Sequence, residues 1–198
     1  MKLNLPNKLT IFRIILVPIM VIIPFLGITH EFMGIPVTFL IVNAIFILAS
    51  ITDKLDGHIA RKYNQITTFG KFLDPLADKI LVLAAMVMLV ELDKLPAWIP
   101  IIVLTREFMV SGYRLLAVEK GGKVVAASNW GKIKTVTQMI AIILAFVDIY
   151  AFGDFLSGNL EGGSLILNVI ASGFMLIQVI ATIFSGIDYM KDAKDLVK

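Results

Sequence analysis

Four aspartates, Asp53, Asp56, Asp74 and Asp78, lie close together in the sequence between two long apolar runs. On helices, Asp53 and Asp56 are three residues apart and Asp74 and Asp78 are four apart, so each pair shares one face. Two neighbouring helices can therefore direct four carboxylates to one place. Because four such charges repel, some would stay protonated unless cations neutralise them. Two divalent cations would do so, and a pair of ions roughly 3.5–4 Å apart is the usual device for displacement at phosphorus.

Small and basic residues surround these aspartates in the pattern Asp-x-x-Asp-Gly-x-x-Ala-Arg, eight residues, then Gly-x-x-x-Asp-x-x-x-Asp. Gly57 and Ala60 would let a bulky ligand approach the helix backbone, and Gly70 would open space at the turn into the next apolar segment. Arg61 offers a planar fork that suits phosphate oxygens. The pattern therefore favours a ligand that carries phosphate.

Other interpretations of the same residues remain open. The aspartates could be solvated charges at a helix end that pair with nearby lysines, namely Lys54, Lys62 and Lys71. An EF-hand fits poorly, because its ligands alternate and end in glutamate, whereas the twelfth position here is Asn64. Asp74 could cap a new helix with Pro75 in its first turn, or Pro75 could kink a continuing helix.

The composition predicts an integral membrane protein. The chain has 198 residues, of which 58% are hydrophobic, and its mean hydropathy is +0.89. A soluble domain does not need that apolar content, so we expect an all-α, polytopic, single-domain protein over residues 1–198, with 1–7 as a juxtamembrane lead. We expect membrane lipid, and no nucleic acid, among its partners. The absence of cysteine excludes thiol catalysis and disulfides.

Six apolar segments are long enough to cross a bilayer, which takes roughly 20 apolar residues each. The second continues as a helix through Arg61, and Pro18 and Pro24 are expected to bend the first. The six segments are 9–28, 35–51, 72–92, 96–118, 133–152 and 165–189.

The distribution of lysine and arginine predicts the orientation of these segments. With an even number of spans, both termini and the aspartates lie on the cytoplasmic side of the cell (inner or plasma) membrane. The opposite loops hold only Lys94. The basic residues on the cytoplasmic side are Lys2, Lys8, Lys54, Arg61, Lys62, Lys71, Lys120, Lys123, Lys132, Lys134, Lys191, Lys194 and Lys198.

Basic residues in the second half of the chain predict a second phosphate site. Arg106 lies inside an apolar run, where an arginine is costly and usually faces a partner or a cavity. It could instead form a helix-joining pair with an aspartate or with Glu107, although adjacent residues on a helix do not face each other. Lys132 and Lys134, at the start of the fifth segment, could be ordinary interfacial lysines. Together with Arg114, these residues could bind an acceptor that carries its own phosphate.

The aspartate pattern resembles the signature of the CDP-alcohol phosphotransferases at all four aspartates, both glycines, the alanine and the arginine. The resemblance implies six membrane helices and transfer of a phosphatidyl or similar group from a CDP-linked donor to an alcohol, with release of CMP. It implies that Asp53, Asp56 and Asp74 bind two divalent cations, Mg²⁺ or Mn²⁺, and that Asp78 is the general base and a further metal contact. The residues implied for the cytidine-diphosphate pocket are Asp56, Gly57, Ala60, Arg61 and Gly70.

The stretches NLPNKLTIFR, TREF, SGYR and GKIKT are similar to the branch of that family whose acceptor is glycerol 3-phosphate. The last segment adds little to this likeness, which also suggests a homodimer formed through membrane helices. The residues implied for glycerol 3-phosphate are Arg106, Arg114, Lys132 and Lys134. Those implied for the headgroup of the donor, CDP-diacylglycerol, are Asn7, Thr10 and Arg13.

Three alternatives to this function remain. The same chemistry could use serine, inositol phosphate or phosphatidylglycerol as the acceptor, although serine has no phosphate for the basic residues. A membrane prenyl transferase would also hold a diphosphate through metals and carboxylates, but this chain is short for one. A divalent-cation transporter is possible, since acidic clusters in membranes can mark ion pathways. A transporter would place them near the bilayer midplane between internal repeats, and the sequence shows no repeat.

Overall fold

The computed structural model describes residues 4–63, 67–119 and 129–197, and these residues form a predominantly α-helical structure. This confirms the predicted all-α fold. The six α-helices in the described residues are α1 (Leu5–Ile22), α2 (Val37–Lys62), α3 (Thr68–Glu91), α4 (Trp98–Glu119), α5 (Asn129–Val147) and α6 (Gly162–Val197). Two short 3₁₀ helices lie at Ile23–Leu26 and Asp154–Ser157, and the strands β1 (Glu31–Phe32) and β2 (Ile35–Pro36) pair antiparallel.

Helix α1 begins earlier than the apolar run predicts. The side chain of Asn4 caps it by accepting a hydrogen bond from the Asn7 backbone N–H at 3.3 Å, and Pro6 lies in the first turn, where a missing N–H costs nothing. Part of the predicted lead is therefore helical. Pro18 lies inside the helix, and the chain leaves the α-helical path at a 3₁₀ turn that contains Pro24.

Helices α2 and α3 carry the aspartates. Helix α2 continues past the apolar run to Lys62, as predicted, so Asp53 and Asp56 lie in regular helix. Helix α3 begins at Thr68, well before Asp74, and Pro75 is inside it. Of the two interpretations of the Asp-Pro pair, the continuing helix is therefore correct.

The chain divides into two compact units, Met1–Glu91 and Leu92–Lys198. In the first unit, α1 packs against both α2 and α3, and Phe46 and Leu81 are among its fully buried side chains. In the second, α6 packs against α5 and α4, and Phe146 is fully buried. The assignment of residues 1–198 to one domain stays a prediction.

Three helical stretches in the described residues are long and apolar enough to cross a membrane: Leu5–Leu26, Asn129–Val147 and Gly162–Lys191. A shorter apolar helical stretch is Val37–Asp53. Large apolar side chains such as Phe25, Ile101 and Phe108 are exposed, as is usual where lipid is the solvent. These features support a membrane protein, whereas six spans and cytoplasmic termini stay predictions.

Candidate active site

A buried arginine of α1 joins the two aspartates of α2. The Arg13 side chain is fully buried, and its Nη1 lies 2.7 Å from Asp53 Oδ1. Its Nη2 donates to Asp56 Oδ2 at 2.5 Å. Asp56 is buried, whereas the Asp53 side chain is 35% exposed. The planar guanidinium can serve two carboxylates at once because its donors form a fixed fork. Arg13 is thus a partner of both aspartates. The side chains of Lys54 and Lys71 lie outside the described residues, so the alternative of pairing with lysines stays untested.

One turn earlier on α1, Thr10 contacts the first aspartate of α3. Its Oγ1 lies 2.6 Å from Asp74 Oδ1 and 3.1 Å from the Pro6 carbonyl oxygen. A hydroxyl has a single proton, so the closer carboxylate is the better acceptor. Thr10 and Arg13 are three residues apart and both are buried, which places them on one face of α1. That face meets the aspartates of both neighbouring helices.

Asn7 extends this face to the beginning of α3. Its Oδ1 accepts a hydrogen bond from Thr67 Oγ1 at 3.0 Å, and Thr67 Oγ1 accepts from the Gly70 backbone N–H at 2.9 Å, as an N-cap residue does. A Cβ at Gly70 would lie 3.0 Å from Asn7 Oδ1 and 3.2 Å from Thr67 Oγ1. Gly70 is therefore required for close approach of the protein's own polar atoms. The sequence had instead predicted that Gly70 opens space for a ligand at this turn.

The structure brings the predicted metal ligands only partly together. Asp53, Asp56 and Asp74 each contact a side chain of α1, and Asp78 is half-buried one turn beyond Asp74. Within residues 4–63, 67–119 and 129–197, no group of three or more acidic or histidine side chains is close enough to hold a metal ion. The donor set fits Mg²⁺ or Mn²⁺ in kind, since these ions prefer carboxylate oxygens. Two of the carboxylates already share one cation, Arg13.

The second unit holds another charged cluster, which is centred on Glu107 of α4. Glu107 Oε1 accepts from Arg106 Nη1 at 2.8 Å and from Lys134 Nζ of α5 at 2.7 Å. The expectation that adjacent residues would not pair was wrong for Arg106 and Glu107. Their side chains are long enough to meet away from the helix axis, where Lys134 joins them.

Helix α6 completes this cluster. Arg106 Nη2 donates to Ser185 Oγ at 2.5 Å, and Arg114 Nη2 donates to Tyr189 Oη at 2.9 Å. The Tyr189 ring centroid lies 5.5 Å from the guanidinium carbon of Arg106 and 5.7 Å from that of Arg114. Arg106 and Lys134 thus share Glu107, and Arg106 and Arg114 share the ring of Tyr189. The role of these residues in binding a phosphate stays a prediction.

The profile of the CDP-alcohol phosphatidyltransferase family matches residues 3–184. The chain belongs to this family. Family membership confirms the resemblance drawn from the aspartate pattern and establishes an enzyme, so the transporter interpretation is not supported.

Three named proteins are similar in sequence to this chain. The CDP-diacylglycerol–glycerol-3-phosphate 3-phosphatidyltransferase of Bacillus subtilis (strain 168) is 52% identical over 146 residues, 70% of this chain and 74% of the relative. The protein of the same name from Haemophilus influenzae is 40% identical over 198 residues, 98% of this chain and 95% of the relative. A probable phosphatidylglycerophosphate synthase of Mycobacterium tuberculosis (strain H37Rv) is 36% identical over 190 residues, 96% of this chain and 81% of the relative.

Several predicted site residues of this phosphatidyltransferase have no described contact. For Gly57, Ala60 and Arg61, only the backbone, which belongs to α2, is described. Lys132 is exposed on α5. Ser185 and Tyr189, which sequence reasoning did not select, contact both predicted arginines. Their spacing of four residues in an apolar helix was the available signal.

Proposed function

We propose that this enzyme transfers the phosphatidyl group of CDP-diacylglycerol to glycerol 3-phosphate and forms phosphatidylglycerophosphate and CMP. The family defines the type of donor, and the names of the relatives supply this donor and this acceptor. The observation that carries the acceptor is the cluster of Arg106, Arg114 and Lys134. In the part of the chain that the structure describes, the three cations of this cluster outnumber its one carboxylate, Glu107, and this excess suits an alcohol that carries a phosphate, which serine lacks.

The donor is assigned to the unit Met1–Glu91. Arg13 and Thr10 are charged and polar donors on one buried face of α1, and they already contact carboxylate oxygens there. Asp53, Asp56 and Asp74 would hold two divalent cations, Mg²⁺ or Mn²⁺, which stabilise charge on a diphosphate and on the leaving CMP when bound. The residues assigned to CDP-diacylglycerol are Asn7, Thr10, Arg13, Asp56, Gly57, Ala60, Arg61 and Gly70.

Asp78 is assigned as the general base and as a further metal contact. It would take the proton of the primary hydroxyl of glycerol 3-phosphate while that oxygen bonds to the phosphorus that bears diacylglycerol. The bond from this phosphorus to the oxygen of CMP breaks in the same displacement. The role requires Asp78 to reach hydrogen-bond distance of the hydroxyl.

The test measures CMP release by the purified protein in detergent with CDP-diacylglycerol and Mg²⁺. Release should require glycerol 3-phosphate, and serine, inositol phosphate and phosphatidylglycerol should not replace it. Release that is independent of glycerol 3-phosphate would show that the acceptor is wrong. Asp78→Asn should lose nearly all turnover yet still bind Mn²⁺. The matched control is Asp93→Asn at an exposed loop position with φ +55°, a conformation that asparagine tolerates.

The location and assembly are proposed as well: a multi-pass protein of the cell membrane, with both termini cytoplasmic, that forms a homodimer. Because the chain has no cysteine, single cysteines can report sidedness. A membrane-impermeant maleimide added to intact cells should label Leu156→Cys and leave Lys62→Cys unlabelled. The reverse labelling pattern would show that the orientation in the membrane is opposite to the one proposed. Crosslinking in native membranes should trap a species of twice the chain's mass.

A further inference from the structure

Helix α6 carries two buried polar residues beside the predicted acceptor site. Ser185 is fully buried and Tyr189 is 4% exposed. They are four residues apart and therefore share a face of α6. Ser185 Oγ accepts from Arg106 and Tyr189 Oη accepts from Arg114, at 2.5 Å and 2.9 Å. Each arginine of α4 thus has its own acceptor on α6.

Gly186 of α6 lies beside the aliphatic stem of Arg106. A Cβ at this position would lie 3.5 Å from Arg106 Cγ, so the aliphatic part of the arginine crosses the helix at the glycine. The guanidinium then reaches Ser185 on one side and Glu107 on the other. The position of Arg106 is fixed by packing along its stem and by hydrogen bonds at its head.

The ring of Tyr189 holds both arginines. Two guanidinium carbons at 5.5 Å and 5.7 Å from one ring centroid are within the range of cation–π attraction. Two like charges near one ring repel each other, and the ring and the phenolic oxygen offset part of that repulsion. Arginine side chains lose much rotamer freedom when they are held. Here that loss occurs before any ligand binds.

The partners of Arg114 indicate that the cluster is more than a link between helices. In the described residues, its contacts are the hydroxyl and the ring of Tyr189, and both are neutral. A pairing that served only to join helices would gain most from an opposite charge, whereas Arg114 is exposed and its partner is neutral. A neutral partner orients the guanidinium and leaves its charge available to an anion.

We infer that Ser185 and Tyr189 are positioning residues for the acceptor, which fix the side chains of Arg106 and Arg114 that receive its phosphate group. This inference rests on the proposed function. It gives the last helix a specific part in recognition of the acceptor, although the sequence of that helix adds little to the likeness with the family.

The experiment compares Tyr189→Phe, Tyr189→Leu and Ser185→Ala with the wild type. Phenylalanine keeps the ring and removes the acceptor oxygen, so the KM for glycerol 3-phosphate should rise roughly tenfold, the scale of a lost hydrogen bond to a charged group. Leucine removes the ring too, so the increase should be larger, about 30-fold or more. Ser185→Ala should resemble Tyr189→Phe. The KM for CDP-diacylglycerol should stay within about twofold.

Inorganic phosphate serves as a second probe. If the arginines receive a phosphate group, it should compete with glycerol 3-phosphate, and its inhibition constant should rise in the same order across the variants. The matched control is Tyr150→Phe, which makes the same change in a loop of this unit. It should leave both KM values and the inhibition constant unchanged.

The outcomes separate the two proposals. If wild-type CMP release does not require glycerol 3-phosphate, the proposed function is wrong. If it does, but the variants keep the wild-type KM for glycerol 3-phosphate, only the positioning role is wrong. Equal increases in both KM values, or a loss of kcat together with a lower Tm, would show a purely structural role. Should Tyr189→Leu fail to fold, Tyr189→Phe and Ser185→Ala still decide the question.

Discussion

Arg13→Gln should destabilise the protein, and divalent cations should reverse much of the effect. Glutamine keeps a polar head and removes the charge that Asp53 and Asp56 share. Asp56 is 3% exposed, and removing one partner of a buried ion pair costs about 3–5 kcal/mol. Asp53 is 35% exposed, so solvent screens its loss and it adds little.

Thermal unfolding in detergent measures this effect. For chains of about 150–250 residues, 1 kcal/mol shifts the Tm by about 2–4 °C, so the metal-free variant should melt on the order of 10 °C below the wild type. Mg²⁺ should raise the Tm of Arg13→Gln more than that of the wild type, since it replaces the missing charge. Arg13→Lys, which keeps the charge without the fork, should be intermediate.

The matched control is Lys8→Gln, which removes one charge from an exposed position of the same helix. An exposed change of this kind should stay within about 0.5 kcal/mol of the wild type. If Arg13→Gln and Lys8→Gln have the same Tm in the absence of metal, the buried ion pair does not stabilise the fold as described. If Mg²⁺ raises both melting temperatures equally, Asp53 and Asp56 do not form the cation site.

Three further changes test other contacts. Gly70→Ala places a Cβ 3.0 Å from Asn7 Oδ1, so the first turn of α3 must shift, and we expect a raised KM for CDP-diacylglycerol in steady-state kinetics. Thr10→Val removes the hydrogen bond to Asp74, which should cost about 1.5–3 kcal/mol of stability and change the Mg²⁺ concentration needed for half-maximal CMP release. Burial lowers the pKa of Lys94 from 10.5 to about 8. Between these two pH values the Lys94 amine is therefore mostly protonated in the unfolded chain and mostly neutral in the folded protein. Stability should therefore rise with pH over that window by about 3 kcal/mol, and Lys94→Met should flatten the rise in melting curves.

The sequence predicts the helices well because hydrophobic length is a local property. Helix α2 was expected to continue past its apolar run to Arg61, and it ends at Lys62. The start of α1 was less predictable, since it depends on the Asn4 cap and on Pro6, which the first turn of a helix tolerates. The choice at Pro75 was also open, because an Asp-Pro pair is compatible with both a helix start and a continuing helix.

The contacts within the site were not predictable from spacing. The Asp53 and Asp56 spacing shows that they share a face, but it cannot show that the nearest cation comes from α1. That contact joins residues 43 positions apart. In the same way, Arg106 meets Ser185 across 79 positions. A resemblance can assign roles to individual residues, whereas tertiary packing decides which of them share a partner.

The two charged clusters, one around Arg13 and one around Arg106 and Arg114, differ in the sign of the ligand charge that they suit. Among the described contacts, Arg13 is shared by two carboxylates, Asp53 and Asp56, an arrangement that suits a further cation. Arg114 has neutral partners on α6 in the described residues, so an anion would be favoured there. The divalent cations and the acceptor phosphate of the proposed function have the signs that suit these two clusters.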